Sequence, residues 1–208
     1  MAMNVSEFVW GRLREWGLTG DGVESRNGGR RLRRGQWWRP TRSILSACSG
    51  SLSGGLASLG AATPYAMAAK MAFPDRVVIA FISDGAMQMN GLNVMITISK
   101  YWREWSDPRL IVMVLNNRDL SQVTWEERIQ LGEGKTESTQ SIPDFPYHKY
   151  AELVGLKGIF VDDADKIGAA WDEALAADRP VILECCTDPK VPPLPPHISL
   201  KTQRTSWQ

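Results

Sequence analysis

The 208 residues are enough for one sizeable domain with an appendage, and 43% hydrophobic with 23% charged residues suits a globular chain able to bury a core. A formal net charge of +1 argues against a global role in binding polyanions. The apolar runs are all far shorter than the roughly 18 residues of a membrane span, so no membrane association is expected.

The opening residues, MAMNVSE, carry neither a basic flank nor an apolar stretch, so no secretory signal is expected and the cytoplasm is the default. Over 5–18, Phe8, Val9, Leu13 and Trp16 recur at helical spacing and predict one amphipathic helix. Residues 19–44 lose this periodicity and carry Arg26, Arg30, Arg31, Arg33, Arg34, Arg39 and Arg42. Interleaved with Trp37 and Trp38, these arginines could form a nucleic-acid or anion patch. No recognised binding module frames them, so a solvated basic linker is the preferred reading and nucleic acid is not an expected partner.

From 45 to 188 the pattern is that of a regular α/β domain. Thr63-Pro64 opens a helix, because proline suits the first helical position, and YAMAAKMA continues it. A strand is expected at 77–82, then a helix from about 90 with Val94, Met95, Ile98, Tyr101, Trp102 and Trp105 on one face. Ser106-Asp107-Pro108 stops that helix and a second strand follows at 110–115. A third unit runs from 147 to 156 and through a short strand at 159–161, and Asp163 or Asp165 can cap the helix that follows. The inner face of that helix is Ile167, Ala170, Trp171, Ala174 and Leu175; Arg179-Pro180 ends it, and 181–186 is the last strand. Strands separated by single helices predict a doubly wound, mainly parallel sheet with helices on both faces. The Pro-rich tail, 189–208, is expected to lie along a surface.

Three cysteines, Cys48 and the adjacent pair Cys185-Cys186, with no C-x-x-C, give neither a disulfide framework nor a zinc site. Only His148 and His197 are present, so histidine-based nucleophilic catalysis is hard to staff and is not expected.

The chemistry concentrates at two strand ends. Ser83-Asp84-Gly85 follows one apolar run and Asn116-Asn117 follows the next. Two parallel strands ending this way bring these residues together at the carboxyl edge of one sheet, where open α/β sheets bind ligands. Asp84 offers an anionic oxygen, Asn117 a neutral one, and Asp119 a main-chain carbonyl or a carboxylate. The small residues Gly85 and Ala86 leave backbone N–H groups accessible to a phosphate. Three protein oxygens, two diphosphate oxygens and a water would complete an octahedral Mg²⁺. Asp-Gly and Asn-Asn are also ordinary turn formers; the flanking strands favour the site.

These residues resemble the diphosphate-binding signature of thiamine diphosphate enzymes, in which GDG is followed downstream by NN. The likeness extends over 50–91, LNNRDLSQVTWEER at 115–128, PDFPYHKYAELVGLKGI at 143–159 and RPVILECCTDPKVPPLPPH at 179–197. All of these look like the C-terminal cofactor domain of the pyruvate oxidase and acetolactate synthase group. The resemblance implies thiamine diphosphate and Mg²⁺ as cofactors. Asp84, Asn117 and the main-chain oxygen of Asp119 are the implied cation ligands, and the Gly85 and Ala86 amides would meet the diphosphate. Leu59 falls where the family often has a methionine wedged under the bent cofactor, and Ala57 where a carbonyl accepts from its aminopyrimidine. Ser121 and Gln122 would lie near the diphosphate and thiazolium end. The implied substrate is a small 2-keto acid such as pyruvate, which loses CO₂. The remaining carbon is then oxidised, protonated or joined to a second keto acid, and nothing in the sequence selects among these fates.

Three departures stand out: Ser83 in place of the first glycine, Ser121 in place of a frequent glycine, and a gap between motifs a few residues longer than usual. The larger one is organisational. Family members have a pyrimidine-binding domain that supplies an activating glutamate, and a middle domain that carries FAD in pyruvate oxidases. Residues 1–18 resemble the first helix of the former, and 19–44 look like a junction left by a large internal deletion or an altered reading frame. No activating glutamate is assignable and no catalytic residue is named; the missing middle domain means FAD is not expected. A pyrimidine-binding partner, supplied by a homo-oligomer or a complementing subunit, is implied for catalysis; the alternative is a non-catalytic fragment that only binds the cofactor. An isolated cofactor domain, in a chain with nine tryptophans, is also expected to self-associate or to dissolve poorly.

Overall fold

A computed structural model describes residues 58–191, all but the first of them within the unit Leu59–Gln208. The expectations for the helix at 5–18, the basic stretch at 19–44, Ala57 and the tail beyond 191 lie outside the described residues.

Four strands form one sheet, β1 Val78–Ser83, β2 Leu110–Asn116, β3 Lys157–Val161 and β4 Val181–Cys186, in the order β1-β2-β4-β3. Every neighbouring pair is parallel. The central strands β2 and β4 are buried almost end to end, which is why LIVMVL and VILECC read as continuous runs rather than alternating ones. Parallel strands need crossovers, and helices supply them; after β2 come α4 (Ser121–Gln130) and the short α5 (Glu137–Gln140).

One face of the sheet, Ala80, Ile82, Leu110, Val112, Val114 and Ile182, packs into a single core. Against it lie Ala66 and Met67 of α1 (Ala62–Ala72), Met95 and Ile98 of α3 (Leu92–Tyr101), and Tyr147 and Ala151 of α6 (Tyr147–Leu153). Because side chains alternate along a strand, Ile111, Met113, Val181 and Leu183 point to the opposite face. There α7 (Ile167–Leu175) lies against β3 and β4 and buries Ile167, Ala170, Trp171 and Ala174. Helices therefore cover both faces, as expected of a doubly wound α/β fold. Asp163 caps the short turn before α7 by accepting from the Asp165 N–H at 3.0 Å.

Among the boundaries that differ from the sequence pattern, two have a clear physical cause. The helix expected from about residue 90 starts immediately after β1: α2 (Asp84–Ala86) runs through a π-helical stretch, Met87–Gly91, into α3. A β-carbon at Gly91 would overlap the Met87 sulfur, so glycine is what lets the widened turn close over that side chain. Strand β3 starts two residues earlier than its apolar segment, at Lys157, because pairing with β4 extends it.

At the amino edge of the sheet, Lys70 is fully buried. Its ammonium donates to the carbonyls of Asp107 at 2.6 Å and of Arg76, and sits 5.3 Å from the Trp105 ring centre. These bonds tie the loop after α1 to the loop before β2 and hold the β1–β2 pair in register. Several large apolar side chains, Tyr65, Met71, Phe73, Phe81, Ile96 and Leu153 among them, remain exposed. Among the described residues no helix is long and apolar enough to cross a membrane.

Candidate functional site

Parallel pairing sets Ser83 beside Leu115, so the chain leaves β1 and β2 at the same level of the sheet. Asp84 opens α2 at that point, and residues 116–119 leave β2 opposite it. The two segments touch: the Arg118 N–H donates to Asp84 Oδ2 at 2.5 Å, and the Gly85 N–H donates to Oδ1 at 2.9 Å. Asp84 is fully buried, and burial pushes its pKa above the usual carboxylate value while the surrounding backbone N–H groups hold it down. Among the described residues no ammonium or guanidinium pairs with it; the Arg118 side chain instead faces Asp144 at 3.8 Å. A desolvated carboxylate met only by neutral donors is a place a cation would stabilise.

The second segment is a compact turn. Asn117 Oδ1 accepts from the Asp119 N–H at 3.0 Å, and Asn117 Nδ2 donates to Ser121 Oγ at 3.0 Å. Arg118 between them has φ +57°, a left-handed conformation uncommon for a residue with a β-carbon. Asp119 forms an isolated antiparallel bridge with Ser141, made by Leu120 N–H to Gln140 and Ile142 N–H to Arg118. In such a bridge the groups of the flanking residues point inward, so the Asp119 carbonyl points the other way. Of the two Asp119 oxygens considered from sequence, the carboxylate is already engaged: Lys135 lies 3.3 Å away, and the Thr124 hydroxyl 3.1 Å from it and from Gln140 Oε1, donating to one of them. The main-chain oxygen is the one left for a ligand.

The remaining expected residues are distributed around this pair. Ser83 is exposed at the end of β1. Gly85 and Ala86 lie in the first turn of α2, both buried. A β-carbon at Gly85 would come 2.7 Å from the Leu120 side chain, so glycine is required here by packing as well as by access to its N–H. Leu59 is exposed, and its carbonyl accepts a long 3.4 Å bond from Asn90 in the π-helical stretch, which sets its loop beside the helix that Asp84 begins. Gly60, at φ +83°, lets that loop approach: a β-carbon there would lie 2.8 Å from Asn90 and 3.1 Å from the Ala86 carbonyl oxygen. Ser121 is half-buried against Asn117, whereas Gln122 is exposed and donates to Glu126 at 2.9 Å. The turn and Asp84 are thus brought together; Gln122 stands apart.

Sequence reasoning missed a second layer. The Tyr147 hydroxyl donates to the Asp84 carbonyl at 3.1 Å and accepts from Gln88 at 2.9 Å, and Gln88 also donates to the Pro143 carbonyl. Burial pushes the Tyr147 pKa up to about 12. Glu184 is also buried; Asn116 donates to it at 2.8 Å and the His148 N–H at 3.0 Å, and His148 Nδ1 lies 2.6 Å away. A lone acid inside the apolar strand VILECC was the available signal for it.

Tyr147 yields a pH prediction. Its folded-state pKa lies above the ordinary value of 10, so its contribution to stability is complete below pH 10 and is lost as pH rises towards 12. Tyr147→Phe should cost about 1 kcal/mol at pH 8, and the gap to wild type should shrink by about 1 kcal/mol at pH 11. Urea unfolding of both proteins at the two pH values measures this; a constant gap would reject it.

Among the described residues no three His, Cys, Asp or Glu side chains converge as a metal cluster. The donor set is instead one carboxylate, one amide oxygen and one carbonyl. That is a hard, all-oxygen set, and it fits Mg²⁺ only if a ligand such as a diphosphate supplies further oxygens.

Comparison with known proteins identifies the family. Residues 33–185 match the family model described as thiamine pyrophosphate enzyme, C-terminal TPP binding domain, a match that reaches back into the arginine-rich stretch. The mitochondrial acetolactate synthase catalytic subunit of Aspergillus candidus is 32% identical over 158 residues, covering 76% of this chain and 21% of that protein. An acetolactate synthase large subunit of Escherichia coli is 34% identical over 128 residues, covering 61% of this chain and 21% of that protein. Among solved structures, a thiamine diphosphate-dependent 4-hydroxybenzoylformate decarboxylase of Rhodococcus jostii matches with a TM-score of 0.56 at 28% identity. The match covers 71% of this chain and 27% of that one. The chain thus spans between a fifth and about a quarter of the length of these proteins.

Proposed function

This chain belongs to the thiamine pyrophosphate enzymes through their C-terminal cofactor-binding domain, and from that premise we propose that it binds thiamine diphosphate with Mg²⁺ at the Asp84–Asn117 edge. In this reading it serves a 2-keto-acid decarboxylating enzyme of the acetolactate synthase or pyruvate oxidase kind. The observation that carries the proposal is the buried Asp84 carboxylate, without a cationic partner among the described residues, bonded to the turn that presents Asn117 and the Asp119 carbonyl.

Thiamine diphosphate, when bound, supplies the nucleophilic carbon and the electron sink for loss of CO₂ from a 2-keto acid. The protein's part is to hold it. Asp84, Asn117 and the Asp119 carbonyl would share the cation; the Gly85 and Ala86 N–H groups would meet the diphosphate. Leu59 and Ala57 would shape the two rings, with Ser121 near the thiazolium. Gln122 has to leave Glu126 to take part. The reading includes a cytoplasmic location, a small substrate such as pyruvate, and a pyrimidine-binding partner domain, since no activating glutamate is assignable in the matched segments.

Calorimetric titration of the full chain with thiamine diphosphate, with and without Mg²⁺, tests the binding claim; affinity that is absent or indifferent to the metal rejects it. Pyruvate consumption is expected only when a pyrimidine-binding domain is added. Turnover by the chain alone would remove the need for a partner.

A further inference from the structure

We infer that Glu184 is a positioning residue for the cation, holding both halves of its site through one buried carboxylate. This rests on the reading of the Asp84–Asn117 edge given above and deepens it. Glu184 touches neither proposed ligand. It stands on β4, level with Val114 of β2 and Phe160 of β3, and its side chain is 3% exposed.

Its two oxygens go to different elements. Oε1 accepts from Asn116 Nδ2 at 2.8 Å, which fixes the last residue of β2 immediately before Asn117. Oε2 accepts the His148 N–H at 3.0 Å and lies 2.6 Å from His148 Nδ1, which fixes the first turn of α6. The His148 ring also packs against Phe160, 4.8 Å between ring centres. The neighbour of His148 in that turn is Tyr147, whose hydroxyl reaches the Asp84 carbonyl at 3.1 Å. One arm therefore runs from Glu184 through Asn116 to the Asn117 turn, and the other through α6 and Tyr147 to Asp84.

A carboxylate this deeply buried is costly unless its lone pairs are filled, and here they are filled by Asn116, next to the Asn117 turn, and by His148, next to the tyrosine that reaches Asp84. Partners of this kind behind a metal site set the distance between ligands, and their loss typically weakens metal affinity 10- to 100-fold. Both oxygens accept from N–H groups, so an amide, which keeps one acceptor and turns the other into a donor, is a poor substitute.

The test uses the full chain and Mg²⁺-dependent binding of thiamine diphosphate, with inorganic pyrophosphate as a second probe lacking the rings. Glu184→Gln and Asn116→Ala are expected to raise the Mg²⁺ midpoint at least tenfold for both probes. At saturating Mg²⁺ the affinity should return to within about twofold of wild type, a rescue that general damage to the fold would not show. The double variant should be no worse than Glu184→Gln, because both changes break the same arm. If Glu184→Gln fails to fold, Asn116→Ala alone carries the test through the same rescue. Folded variants with the wild-type Mg²⁺ midpoint would overturn the role of Glu184 and leave the proposed function standing. A wild-type chain that binds neither probe would overturn the proposed function, and this inference with it.

Discussion

Asp84→Ala should abolish Mg²⁺-dependent thiamine diphosphate binding, with a loss of at least a hundredfold in affinity. That corresponds to about 3 kcal/mol or more. The side chain is the one carboxylate in the proposed donor set, and the others are neutral oxygens. Alanine also strips acceptors from the Gly85 and Arg118 N–H groups, so it loosens the turn as well as removing charge. Asp84→Asn separates these effects. It keeps the size and one acceptor oxygen but not the charge, and its binding loss should approach that of alanine. Wild-type affinity in the asparagine variant, measured by calorimetry, would show that no cation is held there.

The largest effect on folding is expected at Gly158. This residue lies in β3 where α6 crosses it, and a β-carbon would overlap the His148 carbonyl oxygen and lie 2.6 Å from its carbon. The obstacle is backbone, not the free end of a side chain, so nothing can rotate away. Gly158→Ala must push α6 off the sheet, at a cost of about 3 kcal/mol or more. Because α6 carries Tyr147 and His148, the damage should also reach Asp84. Thermal unfolding of the variant reads the first effect and its Mg²⁺ midpoint the second. A melting temperature within a degree or two of wild type would contradict the close approach of helix and strand.

Much of the fold was readable from the chain because buried parallel strands announce themselves. The runs at 110–115 and 181–186 are apolar without alternation, and both fall in the centre of the sheet. Ends were less readable. Lys157 and Gly158 join β3 through pairing with β4, a tertiary gain that no local pattern carries. The π-helical stretch joins strand and helix without the loop that sequence reasoning placed before residue 90, because the only local cue was a glycine at 91. At the site, the meeting of Asp84 with the Asn117 turn followed from parallel register. The roles of Tyr147 and Gln88 did not, since both depend on α6 folding back over the start of α2, some sixty residues away in sequence, and that of His148 depends on α6 meeting β4. Glu184 was visible as an acid in an apolar strand, but its partners were not. The engagement of the Asp119 carboxylate by Lys135 likewise depends on a residue from a separate loop.

The left-handed backbone at Arg118 has a consequence for how ordered the edge is before anything arrives. Forcing a residue with a β-carbon into that conformation costs about 1 kcal/mol, and the fold carries this tension in the resting protein. It works as a latch: while the peptide is wound that way its N–H stays aimed at Asp84. In the proposed reading, a cation arriving with its diphosphate would meet oxygens already in place, and its binding energy would not be consumed in arranging them.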